Sequence, residues 1–105
     1  MTNARKARGS ATERIVSERL KVLWPFNNVV RGPGPDLVET PGFAVEIKAR
    51  TRLDLPEWMR QAKRHSAKHG GIPLLIIRLN GQGPASVDDF PVVMRLGDFI
   101  ELVRD

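Results

Sequence analysis

Phe43-Ala44-Val45-Glu46-Ile47-Lys48-Ala49, then a helical stretch opening at Pro56, then Pro73-Leu74-Leu75-Ile76-Ile77-Arg78-Leu79: these residues decide the fold. The first run alternates, with Phe43, Val45 and Ile47 on one face and Ala44, Glu46 and Lys48 on the other. The last run is nearly all apolar, as a strand buried on both faces requires. Between them Pro56 suits a first helical turn. Leu55, Trp58, Met59, Ala62 and Ser66 form an inner stripe at helical spacing. Gly70-Gly71 stops the helix after about His69. Strand, helix and strand in that order make a crossover between neighbouring strands of one sheet.

Working outward, Ser10-Ala11-Thr12-Glu13 fits a capping box and predicts a helix starting near Ser10. Ala11, Ile15, Val16, Leu20, Leu23 and Trp24 recur at helical spacing, and Pro25 ends the run. Residues 1–9, with Arg5, Lys6 and Arg8, read as a flexible basic arm. Asn28–Arg31 and Asp36–Glu39 read as short strands. Gly32-Pro33-Gly34-Pro35 is a rigid turn between them, and Pro41-Gly42 turns a hairpin. Residues 80–89 read as a polar loop, 91–96 as a last strand, and 98–104 as a helix capped by Asp98. The expectation is an α/β fold: a single domain over residues 10–105, with a mixed β-sheet flanked by helices in the order α-β-β-β-α-β-β-α.

At 105 residues the chain is the size of one domain. With no cysteine and two histidines, thiolate zinc sites, cysteine nucleophiles and multi-histidine zinc sites are excluded. No stretch approaches the apolar length of a membrane span, and no apolar run follows the basic N-terminus as in a secretory signal. The expected location is therefore cytoplasmic, close to the nucleoid. Lys and Arg number 17 against 12 Asp and Glu, a net charge of +5. A basic domain of this size suggests a polyanionic partner, nucleic acid before membrane.

The residues that carry chemistry are Asp36, Glu46 and Lys48. Glu46 and Lys48 lie two apart on a strand and share a face. A hairpin turning at Pro41-Gly42 sets Asp36 near both. Two carboxylates offer hard oxygen ligands, which suit Mg²⁺, with Mn²⁺ as a substitute. A metal held there can activate water, and Lys48 can hold that water or neutralise developing charge. Such a cluster is suited to phosphodiester hydrolysis. A solvated Glu and Lys alternating on an exposed strand is the plain alternative.

Gly34-Pro35-Asp36, nine residues, then Glu46-Ile47-Lys48 resembles the PD-(D/E)XK nuclease motif. Arg8-Gly9-Ser10-Ala11-Thr12-Glu13-Arg14 resembles the opening helix of the archaeal-type Holliday junction resolvases. Val29-Val30-Arg31 resembles their first strand, and Gly70-Gly71-Ile72-Pro73-Leu74-Leu75 the start of their fourth. The resemblance spans about residues 5 to 80. It implies a restriction-endonuclease-like core and a metal-dependent, homodimeric endonuclease acting on four-way DNA junctions. It also implies that Glu13 joins Asp36 and Glu46 at the metal, and that Arg14 and Arg31 contact phosphates. Where those resolvases carry a serine before the aspartate, this chain has Gly32-Pro33-Gly34-Pro35.

Other residues keep two readings. Glu13 is explained equally by the capping box. Gln61 lies mid-helix, where related nucleases often place a glutamine near the active site; a solvated glutamine is the alternative. Arg8, Arg50 and Arg52 are the expected phosphate contacts beside Arg14 and Arg31, whereas Arg60, Lys63, Arg64 and Lys68 fit a solvated helix face. No aromatic interleaving of the single-strand-binding kind is present, which favours duplex or branched DNA. His65 and His69 are assigned to the surface or to packing. Trp24, Trp58, Met59 and Phe99 are assigned to the core or a dimer interface. The rival functions are the same core cutting flaps, nicked or linear duplex, a DNA-binding module without catalysis, and a basic structural protein. No small-molecule cofactor and no membrane partner are expected.

Overall fold

A computed structural model describes residues 2–25, 30–31, 37–38 and 40–104. The elements run α1 (Thr2–Leu20), β1 (Val30–Arg31), β2 (Leu37–Val38), β3 (Phe43–Lys48), α2 (Leu55–His69), β4 (Ile72–Ile77), a 3₁₀ helix (Pro84–Asp89), β5 (Val92–Val93) and α3 (Leu96–Val103). The result is a small α/β domain. β3, β4 and β5 form a three-stranded mixed sheet, in which β3 and β4 are parallel and β5 is antiparallel to β4. β1 and β2 pair antiparallel as a separate ribbon. The expected single sheet is thus divided in two, and a 3₁₀ helix interrupts the expected order between its last strands.

The β3–α2–β4 crossover forms as the sequence predicts. Asp54 caps α2 by accepting from the Glu57 amide at 3.4 Å. Gly70 and Gly71 end it at φ +86° and +88°, a region that favours glycine. The Thr40 carbonyl accepts from the Phe43 amide at 3.0 Å, closing the turn at Pro41-Gly42 just before β3. Parallel register sets Val45 beside Leu74, Glu46 beside Leu75 and Ile47 beside Ile76.

Alternation then divides the core into two layers. Val45, Ile47 and Ile76 pack with Val16 of α1, Leu37 of β2 and Phe90. On the other face Leu75 and Ile77 pack under Trp58 and Ala62 of α2. Trp24 tilts against Phe43 with ring centroids 6.2 Å apart, at the edge of the first layer. Leu55, expected on the inner stripe of α2, is exposed.

Several expected boundaries move for identifiable reasons. α1 begins at Thr2, so residues 2–9 are helix rather than a flexible arm, and Ser10 is mid-helix rather than an N-cap. Ala4, Arg5, Lys6, Ala7 and Arg8 are good helix formers, and Arg8 anchors this end on the sheet through the Ala49 and Leu79 carbonyls. The same helix stops at Leu20, before Pro25, in a turn closed by the Leu23 amide on the Leu20 carbonyl. Pro84 starts the 3₁₀ helix inside the expected polar loop. β5 is shorter than expected because Leu96 already belongs to α3. Asp98 does not cap α3; it lies in the first turn, held by Arg95 at 2.7 Å.

Arg19 ties α1 to the 3₁₀ helix through Asp88 at 2.6 Å. That bond holds the Asp88 carboxyl below its ordinary value and raises Arg19. Its contribution is therefore fully present above the ordinary carboxylate value and is lost as pH falls below that value and through the lowered one of Asp88. No helix among the described residues is long and apolar enough to cross a membrane.

Candidate functional site

Glu46 and Lys48 both face α2, and α2 answers each of them. The Lys48 Nζ donates to the Gln61 Oε1 at 2.5 Å. The Glu46 Oε1 meets the His65 Nδ1. Geometry explains the match: residues two apart on a strand are ~6.7 Å apart, and residues four apart on a helix ~6 Å. A crossover helix runs back along the strand, so the later strand residue meets the earlier helix residue. Glu46 is only 1% exposed, beside Leu75 in the α2-side layer. Lys48 and Gln61 are half-buried, nearer the open end.

One residue beyond Lys48 the chain leaves the sheet and lines a cleft. Arg8, Ala49, Arg50, Thr51, Arg52, Leu53, Asp54 and Trp58 surround about 660 Å³. The cleft lies at the C-terminal ends of the parallel strands, where open α/β sheets bind ligands. It brings together three of the expected phosphate contacts, Arg8, Arg50 and Arg52. Arg14 is exposed on α1. Arg31 lies in β1.

Glu13 is half-buried on α1, one residue past Thr12, which is buried and bonded to Arg78. Asp36 and the Gly32–Pro35 turn lie outside the described residues; Leu37, next to Asp36, is buried in the α1-side layer. Among the described residues no three of His, Asp and Glu converge as a metal site.

Sequence reasoning passed over two residues. His65, expected at the surface or in packing, rests on Glu46, while His69 is exposed with its ring 6.3 Å from that of His65. The available signal was its place four residues after Gln61, on the same helix face. Arg78 closes an otherwise apolar strand run and is buried. Its Nη1 donates to the Thr12 Oγ1 at 3.0 Å and its Nε to the Gln82 carbonyl at 2.7 Å.

No protein-family model matches the chain, and no curated protein matches it.

Proposed function

We propose that the chain is a metal-dependent endonuclease of the PD-(D/E)XK type, with a restriction-endonuclease-like core, that cuts branched DNA and above all four-way junctions. The observation that carries this reading is Glu46 beside Lys48 on a core strand, Lys48 held by Gln61, and an arginine-lined cleft beginning one residue further on.

The donor chemistry fits a divalent cation. Glu46 places a carboxylate at 1% exposure in an apolar layer, and such a charge is tolerated where cations stand close. Glu46 and Asp36, assisted by Glu13, would hold Mg²⁺ or Mn²⁺. A cation so bound supplies an activated water and charge neutralisation at phosphate. Gln61 restricts the Lys48 ammonium to one position, so no reorganisation is needed when it meets water or negative charge. Arg8, Arg50 and Arg52 would position the DNA backbone without reading sequence. Intracellular work near the nucleoid follows from such a substrate.

The contact between Glu46 and His65 favours a second reading, a DNA-binding module in which this carboxylate is only a structural partner. An end-labelled four-way junction, beside linear duplex of the same arms, separates the cases. Metal-dependent symmetric nicks in the junction alone are expected. Cutting of every substrate retains the nuclease and removes the junction preference. Salt-sensitive binding with no cutting in Mg²⁺ supports the module.

A homodimer belongs to the same proposal, since paired nicks need paired sites. α3 buries none of its residues, and Leu96, Phe99, Ile100, Leu102 and Val103 are 48–72% exposed. Its charges balance, Arg95 on Asp98 and Arg104 on Glu101, so two basic chains can meet there without repulsion. Leu96→Glu together with Phe99→Glu is expected to turn a dimer into a monomer by light scattering, with the far-UV spectrum unchanged. An unaltered dimer would place the interface elsewhere.

A further inference from the structure

We infer that the cleft at the ends of β3 and β4 is a phosphate-binding site in which Arg8 is the fixed contact and buried Arg78 the post behind it. As the place where a DNA backbone is held, it rests on the reading above; as an anion site it is testable without cleavage.

Arg8 reaches across from α1 to the ends of both strands. Its Nε donates to the Ala49 carbonyl at 3.3 Å and its Nη2 to the Leu79 carbonyl at 3.4 Å. A surface arginine normally loses rotamer freedom when it meets a ligand. Arg8 has already lost it, which is what preorganisation of a binding site requires.

Arg78 stands behind it at 9% exposure, fixed by Thr12 and Gln82. Thr12 is itself anchored, its Oγ1 donating to the Arg8 carbonyl at 2.8 Å. Burial, and after it the charge of Arg8, lowers the Arg78 guanidinium from its ordinary value, so the two cations feel one another. Among the described residues neither forms an ion pair with a carboxylate. Arg50 and Arg52 add charge from the loop that follows β3. Asp54, the acid in the lining, is engaged as the α2 cap. Like charges held together in a partly dry site are relieved by an anion.

The ligand chemistry is a phosphate oxyanion, which matches the planar guanidinium fork. A volume of about 660 Å³ exceeds what inorganic phosphate fills and accommodates a nucleotide unit, which favours a phosphate in a polynucleotide backbone.

The test is binding of a fluorescein-labelled duplex over a series of salt concentrations, with chelator present so that nothing is cut. Arg8→Gln is expected to weaken binding about tenfold and to lower the salt slope by about 1. Lys68→Gln, exposed in the last turn of α2 and outside the cleft lining, is expected to keep the wild-type slope. Arg78→Met is expected to lower affinity in the same way. Because Arg78 is buried and its replacement also perturbs folding, Arg8→Gln carries the decision, with its fold checked by circular dichroism. A wild-type slope in folded Arg8→Gln overturns the site. Displacement of the duplex by sub-millimolar inorganic phosphate, but not by chloride of equal ionic strength, assigns the site to free phosphate and overturns the backbone assignment. Absence of cleavage in Mg²⁺ would remove the nuclease reading and leave this measurement untouched.

Discussion

Glu46→Gln is expected to reduce cleavage on the order of 10³-fold while the protein stays folded and binds DNA. The substitution keeps the shape of a side chain that is 1% exposed and surrounded by close packing. It also keeps an oxygen toward His65. What it removes is the charge, and a buried carboxylate costs folding energy to desolvate. The thermal midpoint is therefore expected to hold or rise. A structural role predicts the opposite pattern: stability falls and nothing specific happens to turnover. Cleavage and melting should be measured on the same preparation. Full activity in Glu46→Gln would reduce Glu46 to a packing partner of His65 and leave the proposal without its metal ligand. Parallel loss of DNA binding and cleavage in a folded variant would also count against it, because the cleft proposed for DNA lies beyond Lys48 and Glu46 is not in its lining.

The legible part of this chain is where local signals agree. Pro56, the stripe through Trp58 and Ala62, and Gly70-Gly71 all describe one helix, and that helix forms between two parallel strands. The same alternation that separates Val45 from Glu46 assigns them to different core layers. Ser10-Glu13 misled because a capping box is a local signal. The helix that contains it is extended backward by a long-range contact, Arg8 onto the ends of β3 and β4. Asp98 misled in the same manner, since its carboxylate is taken by Arg95. The partners of His65 and Arg78 were illegible for a related reason. Each side chain is defined by a partner on another element, Glu46 nineteen residues away and Thr12 sixty-six residues away. Periodicity says which face a side chain takes, but not what waits on the neighbouring face. The division of the strands into a ribbon and a sheet likewise depends on pairing, which residue type does not encode.

Gly71→Ala is expected to be the most damaging of the glycine-to-alanine changes among the described residues. Gly71 sits at φ +88°, and a Cβ built on it would lie 2.7 Å from the Phe43 carbonyl carbon and 3.0 Å from the Ala44 nitrogen. Both are backbone atoms of β3, which cannot swing aside as a side-chain end can. Left-handed strain and the forced separation together amount to about 3–5 kcal/mol. For a domain of this size that is a midpoint lowered by roughly 15 °C or more. Gly70 and Gly42 supply the control. They have φ +86° and +87°, but a Cβ on either meets nothing within 4 Å. Alanine there bears the conformational strain alone, about 1–3 kcal/mol. The ordering of the three by thermal denaturation isolates the steric term. Equal losses at Gly70 and Gly71 would mean that β3 yields to the methyl group. The close approach also bears on the site. The Ile72 amide donates to the Gly42 carbonyl at 2.8 Å, so this corner sets the register of β4 on β3. That register carries Leu75 to Glu46 and Ile77 to Lys48. A Gly71→Ala protein that still folds is therefore expected to bind and cut DNA less well than its residual stability alone predicts, because α2 would no longer meet both charges at once.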